Sequence, residues 1–259
     1  HPENGGTNLV ARMGRDLDFE INPHNHIAEP GYNYADVAAL IATCGVQPSP
    51  VAGGFLAYPA GENELHVFDG PITGAVHTGY VWTAGTLWGG ATRGHLHDTN
   101  IWFSGVYCPR DGTNWWQHRD GNLPEVGGYG GSANIWSNLD LLLARRDAGL
   151  LCAGSLYTCN LMVLMYQVNQ PAFQLDFHNR LQLYTNVPNL RWAGISQITN
   201  IWAVEYGRRP NHLPYRLDGD LDGDGMPDGW EVSNFCGLAE SDGAGDFDED
   251  TQPDGAEYV

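Results

Sequence analysis

Residues 220–231 read DLDGDGMPDGWE, and residues 246–257 read DFDEDTQPDGAE. In the first stretch Asp220, Asp222 and Asp224 stand at alternate positions. Gly225 is sixth, Met226 seventh, Asp228 ninth and Glu231 twelfth. Each position has a chemical reason in a loop that wraps a hard cation. Three carboxylates turn inward from positions one, three and five, and a glycine permits the sharp bend. The seventh residue offers its carbonyl, and a twelfth-position glutamate closes the shell with both oxygens. Asp246, Asp248, Asp250, Asp254 and Glu257 repeat positions one, three, five, nine and twelve, twenty-six residues downstream. Thr251 occupies the sixth position there, so a strained turn or a weaker site is expected. The pair predicts a calcium-binding segment over 218–259, with Trp230, Val232, Phe235 and Leu238 as its small apolar set. The competing reading is a disordered acidic tail, which so many like charges would favour without metal.

The charge distribution supports a localised segment. Residues 218–259 hold fourteen Asp and Glu and no Arg, so they carry most of the chain's net charge of −19. Across the whole chain there are twelve Arg and no Lys. Clustered cations that would neutralise phosphates are lacking, which argues against a nucleic-acid partner. The absence of Lys excludes Schiff-base chemistry, a pyridoxal-phosphate anchor and a Walker-type phosphate loop. No run reaches the roughly 18 to 20 apolar residues of a membrane span. The chain begins at His1 without Met and is read as a processed or truncated piece of a longer protein. Cys44, Cys108, Cys152, Cys159 and Cys236 contain no C-x-x-C pair, so zinc-finger chemistry is not expected. Buried thiols and disulfides both stay open, and an odd count leaves at least one thiol over.

Upstream, apolar runs of strand length alternate with segments of helical period. Helices are expected at NLVARMG (8–14), at YADVAALIATC after an Asn33 cap, at LDLLLARRDAG, at FQLDFHNRLQLYTNV and at ISQITNIWAVEYG. Strands are expected at DLDFEIN (16–22), VAGGFLAY (51–58), AGTLWGG (84–90), NIWFSGVY (100–107), LMVLMYQV (161–168) and RWAG (191–194). Such alternation implies parallel pairing through right-handed crossovers, hence an α/β barrel or open α/β sheet. Residues 208–217, RRPNHLPYRL, break the periodicity with two prolines. The expected organisation is a domain over 1–210, a linker over 211–217 and the calcium segment over 218–259.

The segment 218–259 resembles the thrombospondin type 3-like repeats, with EF-hand-type loops, attached to secreted bacterial proteins. That resemblance implies calcium as cofactor, a spacer or attachment role, and a secreted or cell-surface location. Residues 16–58, with their order of strand, His-bearing loop, capped helix, G-V-x-P turn and strand, resemble the polysaccharide deacetylase (NodB-homology) family. NVPNLRWAGISQITNIWAVEYGRRP is similar to that family's late strand and helix. The resemblance implies a (β/α) barrel-like domain, truncated at its N-terminus, and a zinc or other divalent transition ion held by an Asp and two His. Such an ion activates water against the acetyl groups of a polysaccharide. His24 and His26 stand at the matching place. Their i, i+2 spacing departs from the family's H-x-x-x-H but still puts both rings on one face of an extended strand. His95 and His97, beside Asp98, have the same spacing. The family's late Leu-x-His motif has no counterpart in LMVLMYQV, and His178 in the following helix is a poor substitute.

Trp102, Trp115, Trp116 and Trp136 cluster in the central part of the chain around the Gly-rich stretch 127–131 and are candidates for a carbohydrate-stacking groove. Trp192 and Trp202 are read as core residues. The leading expectation is a metal-dependent glycan deacetylase, a hydrolase, joined to a calcium module. Its rival is a non-catalytic carbohydrate-binding or cell-surface structural protein. A glycoside hydrolase would need two facing carboxylates, for which Asp18, Glu20 and Glu29 are the loose candidates. No G-x-S-x-G elbow, H-E-x-x-H helix or nucleotide fingerprint is present.

Overall fold

A computed structural model describes residues 8–23, 34–50, 82–83, 103–108, 118, 120, 124–130, 136–161, 163, 165–238 and 241–258. The expected helices are present. A short α1, Leu9–Ala11, runs on into a wider π-turn at Arg12–Asp16 and is followed by α2, Tyr34–Thr43. Ala11 and Ile41 join Val46 in a small buried cluster that packs the two together. Helix α3, Ser137–Asp147, buries Leu139 and Leu142 on one face, three apart as helical packing requires. Asp140 in its first turn and Arg145 and Arg146 in its last match the helix dipole. Gly149, at φ +71°, then stops it, as its position predicted. Next come α4, Met165–Val168, and α5, Pro171–Tyr184, which begins on a proline whose missing N–H is no loss at a first helical turn. Helix α6, Ile195–Glu205, starts at Gly194 and buries Trp202.

Among the described residues the strands are two residues long, and no barrel closes. β1 (Trp82–Thr83), β3 (Val106–Tyr107) and β4 (Glu125–Val126) form one sheet in the order β1-β4-β3, with β1 parallel and β3 antiparallel to β4. β2 (Phe103–Ser104) pairs antiparallel with β7 (Leu213–Pro214), and β5 (Tyr129–Gly130) pairs parallel with β6 (Asn160–Leu161). The expected strand at 100–107 is therefore split at Gly105, so that its halves pair with different partners. Gly105 has φ +117°, and a Cβ there would lie 2.2 Å from the Asn211 carbonyl oxygen. Only glycine allows that approach.

Three other strands are corrected. DLDFEIN is irregular: Asp18 takes φ +55°, and Phe19 N–H returns to Met13 O. Among its described residues LMVLMYQV holds strand pairing at Leu161 and is helical from Met165, the ambiguity that a short apolar run carries when period alone is read. RWAG is not a strand, because Gly194 serves as the N-cap of α6. The strands expected at 51–58 and 84–90 and the Asn33 cap lie outside the described residues.

The larger correction concerns 211–217. Asn211, His212, Leu213 and Tyr215 are all buried, so this is core and not linker. Leu213 and Tyr215 pack with Leu142 of α3 and with Val232 from the calcium segment. The Arg145 guanidinium donates to the Pro214 and Tyr215 carbonyls, and the His212 ring stacks on Tyr107 at 4.5 Å. A buried hydroxyl network completes the joint. Thr158 Oγ1 accepts from Gly105 N–H at 2.9 Å and lies 2.8 Å from the Gly127 carbonyl, while Ser104 and Tyr215 hydroxyls donate to the Thr158 carbonyl. Residues 211–215 stay buried although Arg208, Arg209 and Arg216 beside them are exposed, since the Pro214 and Tyr215 carbonyls are satisfied from outside the segment, by Arg145 of α3.

Candidate metal centre

The chain leaves this core at Leu217 and enters the first acidic loop. One carboxylate oxygen from each of Asp220, Asp222 and Asp224 lies within 4.8 Å of the others, a spacing able to hold one metal ion. Backbone amides fix the carboxylates. Gly223 N–H donates to Asp220 Oδ1 at 2.8 Å, Gly225 N–H to Asp220 Oδ2 at 3.2 Å and Met226 N–H to Asp224 Oδ1 at 2.8 Å. Asp228 is buried, accepts from Leu221 N–H at 2.8 Å and donates its own N–H to Gly219 O, tying the loop's ends together. Helix α7, Asp228–Phe235, leaves the loop with Asp228 and Glu231 in its first turn, where the helix dipole favours negative charge.

Glu231 is 0% exposed, and neither of its carboxylate oxygens has a protein hydrogen-bond partner; Asp224 Oδ2 is likewise buried and unpartnered. An ionised carboxylate buried without a partner costs several kcal/mol, roughly, so this group calls for a cation. Burial, then the charges of Asp222 and Asp224, pushes the Glu231 carboxyl up to about 9. Asp222 is pushed up to about 7, first by burial and then by Asp224. Carboxyls raised in the folded state stabilise it at low pH and lose that contribution as pH rises through their folded values. In chelator, thermal unfolding monitored by Trp fluorescence is therefore expected to move to lower temperature between pH 5 and 9. With excess calcium the trend should vanish, because the ion replaces the protons. A flat or rising midpoint in chelator would contradict the buried state of Glu231.

The second loop repeats the first in register. Asp246, Asp248 and Asp250 bring one oxygen each within 4.8 Å. Phe247 N–H donates to Asp254 Oδ1 at 2.8 Å, Thr251 N–H to Asp246 Oδ2 at 2.8 Å and Gln252 N–H to Asp250 Oδ1 at 2.9 Å, the counterparts of the bonds at Leu221, Gly225 and Met226. Helix α8, Asp254–Glu257, follows as α7 follows the first loop. Two differences separate the loops. Asp246, Asp248, Asp250 and Glu257 are exposed, whereas Glu231 is enclosed. Glu249 (φ +62°) and Thr251 (φ +85°) occupy left-handed backbone where the first loop has Gly223 and Gly225. Sequence reading singled out Thr251 and missed Glu249, although Gly223, the first glycine of DGDG, against the DED of the second loop carried the signal. A β-branched residue at that φ costs about 1–2 kcal/mol. Thr251→Gly is expected to stabilise the segment by about 1 kcal/mol in urea unfolding; no gain would mean that the turn is unstrained.

The two loops share a small aromatic core. Trp230 meets Phe235 and Tyr258 edge-on, and Phe235 packs on Phe247 at 5.0 Å. Ser241 Oγ donates to Asp254 Oδ2, and Gly255 N–H to Gly243 O, so the connection between the loops is itself folded. A disulfide joins Cys236, just past α7, to Cys152, which follows α3; Cys44, Cys108 and Cys159 are outside it.

The other expected site residues are placed differently. His24, His26, His95, His97, Asp98, Glu29, Trp102, Trp115 and Trp116 lie outside the described residues. Trp136 is buried, stacked on Tyr184 and tilted against Phe177, so its ring offers no open face to a sugar. Trp202 is core as read, but Trp192 is 48% exposed and stands at a cavity of about 470 Å³ with apolar walls including Leu143, Leu151 and Ile198. Glu20 serves a helix start. It accepts from Ser49 Oγ and from Ser196 N–H in the first turn of α6, supplying the cap that Gly194 lacks. His178 sits exposed on α5.

No protein-family model matches the chain, and no curated protein or solved structure matches it either.

Proposed function

We propose that residues 218–259 are a calcium-binding module of the thrombospondin type 3-like kind, and that its first loop is the tighter of two sites. The observation that carries this is Glu231, fully buried beside three convergent aspartates with both oxygens unpartnered. All-oxygen donors, a carbonyl position and a closing glutamate suit calcium over zinc or copper, which favour nitrogen and sulfur. A secreted or cell-surface location fits the Cys152–Cys236 disulfide, which persists in oxidising compartments where calcium is also plentiful. No helix among the described residues is long and apolar enough to cross a membrane.

Isothermal titration with calcium tests the assignment, with two sites of unequal affinity expected. Glu231→Gln should weaken the tighter site more than about 100-fold, since even outer-shell changes at metal sites cost about 10- to 100-fold. Asp224→Ala should act on the same site. Absence of calcium uptake by the intact chain would sink the proposal. Polysaccharide deacetylation rests on His24 and His26, outside the described residues, and on an order of elements of which the helices are present and the strands at 16–22, 161–168 and 191–194 are not. Release of acetate from an acetylated glycan is its test; glycan binding without release would favour the non-catalytic rival.

A further inference from the structure

We infer that calcium in the first loop controls the Cys152–Cys236 disulfide, so that the redox state of that bond and the calcium affinity of the loop are one linked equilibrium. This rests on the calcium reading of residues 220–231 and extends it to regulation. Three facts on one short helix carry it. Glu231, at the first turn of α7, has a buried carboxylate with no hydrogen-bond partner on either oxygen. Val232, the next residue, is the helix's anchor in the core, packed with Leu142, Leu213 and Tyr215. Cys236 closes the helix in a left-handed conformation, its N–H held by the Val232 carbonyl at 3.2 Å. Ligand, anchor and sulfur thus occupy six consecutive residues.

The opposite sulfur belongs to the body. Cys152 lies beyond the Gly149 stop of α3, its N–H held by the Tyr157 hydroxyl at 3.0 Å. Both cysteines are only partly exposed. A reductant must bring a thiolate to one of these sulfurs, and their partial burial makes that attack easier when α7 lifts from the body. Without calcium the Glu231 carboxyl stays buried with neither oxygen hydrogen-bonded, which opposes the docked helix, and lifting becomes frequent. With calcium the same carboxylate holds it down. Conversely, the 84-residue separation means that the closed disulfide removes much of the freedom of an undocked module, which preorganises the loop for its ion. By linkage, the factor by which calcium disfavours reduction must equal the factor by which reduction weakens calcium binding.

The test equilibrates the intact chain in glutathione buffers with saturating calcium or with EDTA. Differential alkylation and mass spectrometry then score the Cys152 and Cys236 peptides. At least a tenfold shift of the equilibrium towards the disulfide is expected in calcium, about 30 mV in potential. Calcium titration of the reduced chain should show the first-loop affinity lowered by the same factor. Glu231→Gln should abolish the calcium dependence, whereas Glu257→Gln in the second loop should keep it. Identical equilibria in calcium and EDTA, with calcium uptake demonstrated by titration, would overturn the inference and leave the calcium reading standing. A shift that survives Glu231→Gln would overturn it as well. No calcium uptake at all would remove the reading on which it rests.

Discussion

Chelating calcium is expected to lower the thermal midpoint of the whole chain by roughly 5 to 10 °C, in one transition. From sequence, an acidic segment behind a proline-broken linker would melt alone and leave the larger domain untouched. The structure removes the linker. Val232 of the calcium segment lies in the same buried cluster as Leu142 of α3 and Leu213 of β7, and Leu238, itself fully buried, donates its N–H to the His212 carbonyl at 2.9 Å. Losing the ion leaves Glu231 buried with neither oxygen hydrogen-bonded, which loosens α7 and exposes that shared cluster. A site held at about 100 times its dissociation constant contributes about 2.7 kcal/mol. In a chain of this size each kcal/mol moves the midpoint by about 2–4 °C. Differential scanning calorimetry with and without EDTA measures it. Two transitions, with the upper one unmoved, would show that the module and body fold independently.

What the sequence made legible follows from how local the determining physics is. The loops were readable because every ligand position lies within twelve residues and the chemistry dictates residue type; in the first loop Asp220, Asp222 and Asp224 converge, Asp228 ties the ends and Glu231 is buried. The helices at 137–147, 171–184 and 195–205 were readable because stops and period are also local. Strands were not, since pairing is decided by partners far away. Gly105 is a break only because Asn211 passes behind it, and Leu161 pairs only because Tyr129 and Gly130 are opposite. Burial of 211–215 was hidden for the same reason. Prolines and a histidine resemble a linker until the arginine from 145 and the ring of Tyr107 come to meet them. Glu20 shows the error in the other direction: a carboxylate that looked available for chemistry is occupied by a helix start 176 residues away.

Leu213→Ala is expected to destabilise the chain by about 3 kcal/mol and to weaken calcium binding at the first loop. Leu213 is 1% exposed and fills the space between α3, Tyr215 and Val232. Removing a buried leucine side chain costs about 2–5 kcal/mol, through lost transfer energy and the cavity left behind. The same change in an exposed linker would stay within about 0.5 kcal/mol. Urea unfolding separates the two cases. The calcium effect has a different cause. Val232 loses the partner that holds α7 down, so part of the binding energy of the ion must be spent docking the helix before Glu231 can close the shell. If the variant keeps wild-type stability, residues 211–217 are a linker after all. If stability falls while calcium affinity is unchanged, the loop is preorganised by its own amides and by Cys236, and Val232 serves the body alone.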